Sequence, residues 1–213
     1  LIGVGVGEYF IASDAAALIP VTQQFIVMED GDTAKITRQG VEIHDKDGKI
    51  IEREIHISEL RADAVERGEF RHYMLKEIHE QPLAIADCLE GRISANSVLE
   101  QAFGHGANKV LDKIQGVQII ACGTSYHAGL IGKYLLESIA GISCSVEVAS
   151  EFRYRKPVVR KNSLIITLSQ SGETADTLAA LKEAKQLGFG QSLAICNVPE
   201  SSIVRESDLV LMT

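Results

Sequence analysis

The stretch SLIITLSQSGETADTLAALKEAKQLG, Ser163 to Gly188, carries three local signals in succession. Its opening run LIITL is apolar without alternation, the pattern of a strand covered on both faces. The centre, SQSGET, is short, rich in hydroxyls and contains a glycine. The remainder, TADTLAALKEAKQLG, has a helical period, with Ala175, Leu178, Ala179 and Leu181 expected on the buried side and Gly188 as the stop. A strand that feeds a helix through so short a loop is half of a βαβ unit. The unpaired N–H groups and positive dipole end of that helix face the loop and favour an anion, and Gly172 lets the backbone approach it closely.

Working outward, the same alternation of apolar strand and helical stretch recurs in VQIIACGTS (Val117–Ser125), SVEVASEF (Ser145–Phe152), SLAICNVP (Ser192–Pro199) and DLVLMT (Asp208–Thr213). Five such strands predict an α/β fold with a flavodoxin-like open parallel five-stranded sheet, whose ligands sit beyond the strand carboxyl ends. Two strand ends finish in polar, glycine-containing loops: Cys122, Gly123, Thr124 and Ser125 in one, and Ser169, Gln170, Ser171 and Thr174 in the other. In a parallel sheet both loops share one rim. Taken alone, SQSGET is equally a helix start capped by its own hydroxyls. The second polar strand end is not required by capping, and the pair therefore reads as a binding site.

The ligand class follows from what the loops contain. Neither has a lysine or arginine, so binding rests on neutral donors and a helix dipole. The patterns GxxxxGK[ST] and GxGxxG after a strand are both missing, which places a phosphomonoester such as a sugar phosphate ahead of ATP or NAD. Cys122, at the end of a buried strand, reads as a small apolar residue rather than a nucleophile. Glu173 beside a phosphate is electrostatically awkward, and its expected task is to stabilise the helix start or to meet sugar hydroxyls.

Residues 2 to 57 favour short alternating β segments, with turns at Gly31–Asp32 and at Lys46–Lys49, the latter an Asp-Gly hairpin signal. A short helix is expected after Ser13. Residues 62 to 70 read as a linker, so the chain divides into 1–61, 62–70 and 71–213. In HYMLKEIHEQPLAIADCLEGRI two helices are expected to meet near Pro82. His72 and His79 share a helical face but lack a third ligand nearby, and no metal is assigned to them. Gly3, Gly5 and Gly7 precede no βα unit and read as strand or turn glycines.

Composition sets further bounds. The 213 residues are 46% hydrophobic and carry a net charge of −8, with basic residues scattered, which argues against a nucleic-acid partner. No apolar run is long enough for a membrane helix and the first residues lack signal-peptide features, so the expected compartment is the cytoplasm. Cys88, Cys122, Cys144 and Cys196 form no CxxC motif and are expected as reduced thiols. The chain starts inside an apolar strand-like run and stops on another, which suggests a piece of a longer protein.

ACGTSYHAG (Ala121–Gly129), EFRYR (Glu151–Arg155), LSQSGETADTL (Leu168–Leu178) and SSIVRESD (Ser201–Asp208) together resemble the glutamine–fructose-6-phosphate aminotransferase family. HYMLKEIHEQP (His72–Pro82) resembles the segment opening its isomerase half, and FIVMEDGDTAKIT (Phe25–Thr37) the end of its glutaminase half. The resemblance implies the last part of an N-terminal nucleophile glutaminase domain, a hinge, and the first of two sugar isomerase (SIS) domains. It implies a part in making glucosamine 6-phosphate and glutamate from fructose 6-phosphate and glutamine, the first step of hexosamine biosynthesis, without a metal or organic cofactor and as a homodimer.

Carried over residue by residue, Ser125, Ser169, Gln170, Ser171 and Thr174 would be phosphate ligands. Thr124 would be a sugar contact, with Cys122 and Gly123 lining the pocket. The family's catalytic groups match no position here, so no catalytic residue is assigned and the stretch alone is expected to bind fructose 6-phosphate or glucosamine 6-phosphate without turnover. The alternative is a non-enzymatic SIS module that senses a sugar phosphate. The β-rich, acidic first residues disfavour it, because a transcriptional sensor would carry a helical basic segment there.

Overall fold

The computed structural model describes residues 1–13, 15–58 and 67–213. They fall into two units, Leu1–Lys76 and Glu77–Thr213. Most of the stretch read as a linker, residues 62–66, lies outside the described residues.

In the first unit, strands β1 (Ile2–Val4), β2 (Tyr9–Ile11), β3 (Gln24–Ile26) and β7 (Ile55–Ile57) form an antiparallel sheet in the order β2-β1-β3-β7. β4 (Thr33–Thr37), β5 (Gly40–His44) and β6 (Ile50–Ile51) form a separate antiparallel meander. Gly3 lies in β1 and Gly5 in the turn that follows, where its N–H donates to Glu8 O at 2.9 Å. The Asp-Gly turn closes β5 onto β6. Asp45 Oδ1 accepts the N–H groups of Asp47 and Lys49, each at 2.9 Å, and Gly48 takes φ +78°. The helix expected after Ser13 is a single 3-10 turn, Ala15–Ala17.

Helix α1 (Tyr73–Leu89) runs unbroken with Pro82 inside it, where two helices were expected. Proline deprives one carbonyl of its intrahelical donor. Around Pro82 the helix is exposed, so water can satisfy that carbonyl and no break is required.

The second unit is the parallel sheet. After α2 (Ala107–Leu111) the chain runs β8 (Gly116–Ala121), α3 (Gly123–Ala140), β9 (Ser143–Val148), α4 (Ala149–Phe152), β10 (Ser163–Ser169), α5 (Ala175–Gln186), β11 (Gln191–Cys196), α6 (Ser202–Glu206) and β12 (Leu209–Met212). All its strand pairs are parallel and their order is β12-β11-β10-β8-β9. The chain builds from β8 toward one edge and then from β10 toward the other, so the winding reverses between β8 and β10. At such a switch point the two flanking loops diverge and leave a crevice.

Alternate residues of the central strands feed two cores. Val117, Ile119, Leu164, Ile166 and Leu193 pack on one face with Phe103, Leu111 and Leu136. Ile120, Ile165 and Ala194 pack on the other with Ala149, Phe152, Leu181 and Ile203 from α4, α5 and α6. Helix α3 lies close to the sheet because Gly129 has no side chain. A Cβ there would stand 3.0 Å from Ile119 Cγ2 and 3.1 Å from Val146 Cγ1.

The buried stripe of α5 is Thr177, Ala180, Leu181 and Ala184; of the four residues expected there Leu181 is buried and Leu178 packs half-buried against the same core, while Ala179 is half-buried and Ala175 exposed. The stripe opens on a threonine, and reading it by apolar residues alone rotated the helix. Gly188, at φ +95°, ends α5, and Phe189 N–H closes back to Ala184 O at 3.2 Å.

Candidate functional site

The two polar loops leave the sheet side by side. Leu168 is in register with Ala121 in the β10–β8 ladder, so Ser169 and Cys122 are the next residues on adjacent strands. A described bond joins the loops, from Thr177 Oγ1 on the first turn of α5 to Cys122 Sγ at 3.8 Å. Thr177 is fully buried, and Cys122 is half-buried at the N-cap of α3. The sulfur therefore serves as an acceptor between loops.

The loop from Ser169 to Thr174 is folded on its own hydroxyls. Ser169 Oγ accepts the Gly172 N–H at 3.0 Å and lies 3.5 Å from Thr174 Oγ1, while Ser171 Oγ accepts the Glu173 N–H at 3.2 Å. Ser171 Oγ accepts, which leaves its proton available to a ligand, and in the Ser169–Thr174 pair either hydroxyl can be the donor, which leaves one proton of the two free. Thr174 is the N-cap of α5, with φ −62° and ψ 109°, yet its hydroxyl makes no capping bond. Plain capping would direct that hydroxyl to the N–H of the second or third helical residue. Here the first turn of a twelve-residue helix keeps its N–H groups directed at the loop.

Of the remaining expected residues, Gly123 opens α3 at φ +56°, Thr124 is exposed and Ser125 is half-buried on the first turn of that helix. Gln170 has an exposed side chain, and its carbonyl accepts Asn197 N–H at 3.4 Å. The rim thus gathers hydroxyls from both loops and the starts of two helices.

Two carboxylates flank the loop, and both are engaged elsewhere. Asp176, in the first turn of α5, is held by Arg153 at 2.8 Å, a bond that raises the pKa of the guanidinium. Glu173 Oε1 accepts the N–H of Ser202 at 2.8 Å, at the start of α6 rather than of its own helix. Sequence reasoning missed this second role and the partner of Asp176. No local signal in the sequence shows it: only the strand order, in which β11 adjoins β10, places the loop after β11 beside the loop after β10.

Among the described residues no group of three His, Cys, Asp or Glu side chains could hold a metal ion. The described cysteines are free, and burial pushes the Cys144 thiol up to about 11. No helix among them is long and apolar enough to cross a membrane.

The SIS domain model matches residues 111–213. Across all 213 residues the chain is 58% identical to a glutamine–fructose-6-phosphate aminotransferase [isomerizing] of Idiomarina loihiensis and 59% identical to that of Escherichia coli, covering 35% of each. The chain therefore spans about a third of the length of the curated relatives it matches. Among solved structures, the C-terminal domain of glucosamine-fructose-6-phosphate aminotransferase from Francisella tularensis matches with a TM-score of 0.66 and 46% identity, over 70% of this chain and 42% of that one. Glucosamine-6-phosphate deaminase from Thermotoga maritima matches with a TM-score of 0.52 and 26% identity, over 66% of this chain and 40% of that one.

Proposed function

We propose that this chain, whose residues 111–213 are an SIS domain and whose whole length is similar to a third of the glutamine–fructose-6-phosphate aminotransferases, supplies the sugar-phosphate cradle of such an enzyme. Its substrate is fructose 6-phosphate and its product glucosamine 6-phosphate, with glutamine as nitrogen donor and a homodimeric parent. Residues 1–61 correspond in this reading to the end of the glutaminase part, 62–70 to a hinge and 71–213 to the first SIS domain.

The observation that carries the reading is the pair of hydroxyl-bearing loops at the switch point, joined by Thr177 and Cys122. The phosphoryl group sits at the N-terminus of α5. There Ser169, Ser171, Thr174 and Ser125 donate hydroxyl protons, Gln170 donates its amide, and the helix dipole offsets the charge. Thr124 meets the sugar, and Cys122 and Gly123 form the wall. Neutral donors suit a metabolite that must leave as readily as it enters, since a cluster of fixed cations would hold the dianion more tightly. Arg153 offsets the charge of Asp176, and the bond to Ser202 holds the Glu173 carboxylate against α6, which lessens the repulsion of an anion.

Isothermal titration of the chain with fructose 6-phosphate, set beside a Ser171→Ala, Thr174→Ala double variant, tests the proposal. Each hydrogen bond to a charged group is worth about 1.5–3 kcal/mol, so the double variant should bind at least about tenfold more weakly. Equal affinity in the two proteins would overturn the site. Equal affinity for a phosphate-free fructose would overturn the ligand class.

A further inference from the structure

The loop read above as a phosphate cradle has a second side. Ser169, Ser171 and Thr174 bear the hydroxyls, whereas the residues interleaved with them, 170, 172 and 173, are bonded to the turn between β11 and α6. Helix α6 begins at the N-cap Ser201, whose side chain makes no capping bond. Its first two N–H groups are instead satisfied from the loop: Ser202 N–H donates to Glu173 Oε1 at 2.8 Å, and Ile203 N–H donates to Gly172 O at 3.0 Å. Asn197 N–H reaches Gln170 O at 3.4 Å, and Cys196 Sγ lies 3.7 Å from the same carbonyl. The surfaces fit closely enough that a Cβ on Gly172 would stand 1.9 Å from Ser201 Oγ.

We infer that Glu173 is a positioning residue: by capping α6 across the gap between two loops it fixes the height and tilt of the Ser171 and Thr174 hydroxyls and keeps its own charge off the ligand. This rests on the reading of the loop as a phosphate site. A carboxylate facing the first-turn N–H groups of a helix is in its favoured place. If Glu173 released α6, the loop would lose a bond on its anchored side and the carboxylate would be free to swing toward the phosphate. Both changes weaken binding.

The test separates anchoring from direct contact through the donor rather than the acceptor. Ser202 is the first residue of α6, a position where proline fits the helix but offers no N–H, and Ser201 before it, at φ −74° and ψ 159°, has the extended backbone proline requires. Affinity for fructose 6-phosphate is measured for wild type, Glu173→Gln, Glu173→Ala, Ser202→Pro and the Glu173→Ala, Ser202→Pro double variant. Amide hydrogen exchange at Ser202 and Ile203 is followed in each.

Glutamine keeps an oxygen acceptor, so Glu173→Gln should stay within about threefold of wild type. Glu173→Ala and Ser202→Pro should each lose about tenfold, and the double variant should lose no more than either, as expected for two ends of one bond. Exchange at Ser202, measurable in every variant but the proline ones, should accelerate in Glu173→Ala and not in Glu173→Gln. Wild-type affinity in a folded Ser202→Pro, or a glutamine variant as impaired as the alanine one, would overturn the inference. If Ser202→Pro does not fold, the glutamine rescue and exchange at Ser202 decide. If the wild type binds no sugar phosphate at all, the phosphate reading and the inference built on it both fall. Unchanged exchange in Glu173→Ala defeats the anchor alone.

Discussion

Gly172 is required twice over. Its φ of +68° lies in the left-handed region, and its missing side chain admits Ser201 and Cys196. Gly172→Ala therefore adds backbone strain to a clash with the buried Ser201 side chain. We expect a loss of about 3 kcal/mol or more in chemical denaturation, together with loss of sugar-phosphate binding. Stability within about 0.5 kcal/mol of wild type would mean the loop parts readily from the β11–α6 turn. Cys144 offers a contrasting check, because burial and the nearby Glu137 carboxylate push its thiol up to about 11. At pH 8 it should resist alkylation in the folded protein and react once the chain is unfolded, while the half-buried Cys88 and Cys122 label first. Mass-spectrometric mapping of the labelled thiols reads this directly.

At the scale of elements, the junction of β11 and β12 depends on Asp208. Its Oδ2 accepts both the N–H of Ser192 at 2.9 Å and the hydroxyl at 2.7 Å, and its own N–H returns to Ser192 Oγ at 3.0 Å. Burial pushes the carboxyl up, but the bonds from Ser192 and the neighbouring Lys185 outweigh it and hold the carboxyl below its ordinary value. A carboxyl lowered on folding contributes stability that is present above its unfolded pKa and fades as pH falls through the folded one. Unfolding titrations should thus show the second unit weakening below about pH 4, and Asp208→Asn should flatten that dependence. An unchanged acid limb would assign the effect to other carboxylates. The central strands were legible in the sequence because a strand covered on both faces is apolar without alternation, as LIITL and IIA are. The order of the strands follows from winding, which no single segment displays, and so the bracing of SQSGET by the turn after β11 was not readable. The buried face of α5 was misread because Thr177 occupies it, its hydroxyl satisfied by Cys122, a partner fifty-five positions away. Pro82 misled for the opposite reason. Its lost hydrogen bond is tolerated in α1 because the helix is exposed and water can reach the freed carbonyl.

At the scale of the molecule, the chain holds two units of different construction, antiparallel in Leu1–Lys76 and parallel in Glu77–Thr213, and the candidate loops belong to the second alone. A ligand that binds a folded unit stabilises it by mass action, by about 2.7 kcal/mol when free ligand exceeds its dissociation constant a hundredfold. That stabilisation is delivered where the contacts are. The candidate loop hangs on β10, whose neighbours β8 and β11 are centred in the sheet, so the gain should spread through the amides of β8, β10 and β11. β1 to β7 should keep their exchange rates. Hydrogen exchange with and without fructose 6-phosphate reads both units in one sample. Protection confined to the second unit supports the loops as a self-contained cradle, whereas equal protection in β1 to β7 would show that the first unit shares in holding the sugar and would redraw the site to include it.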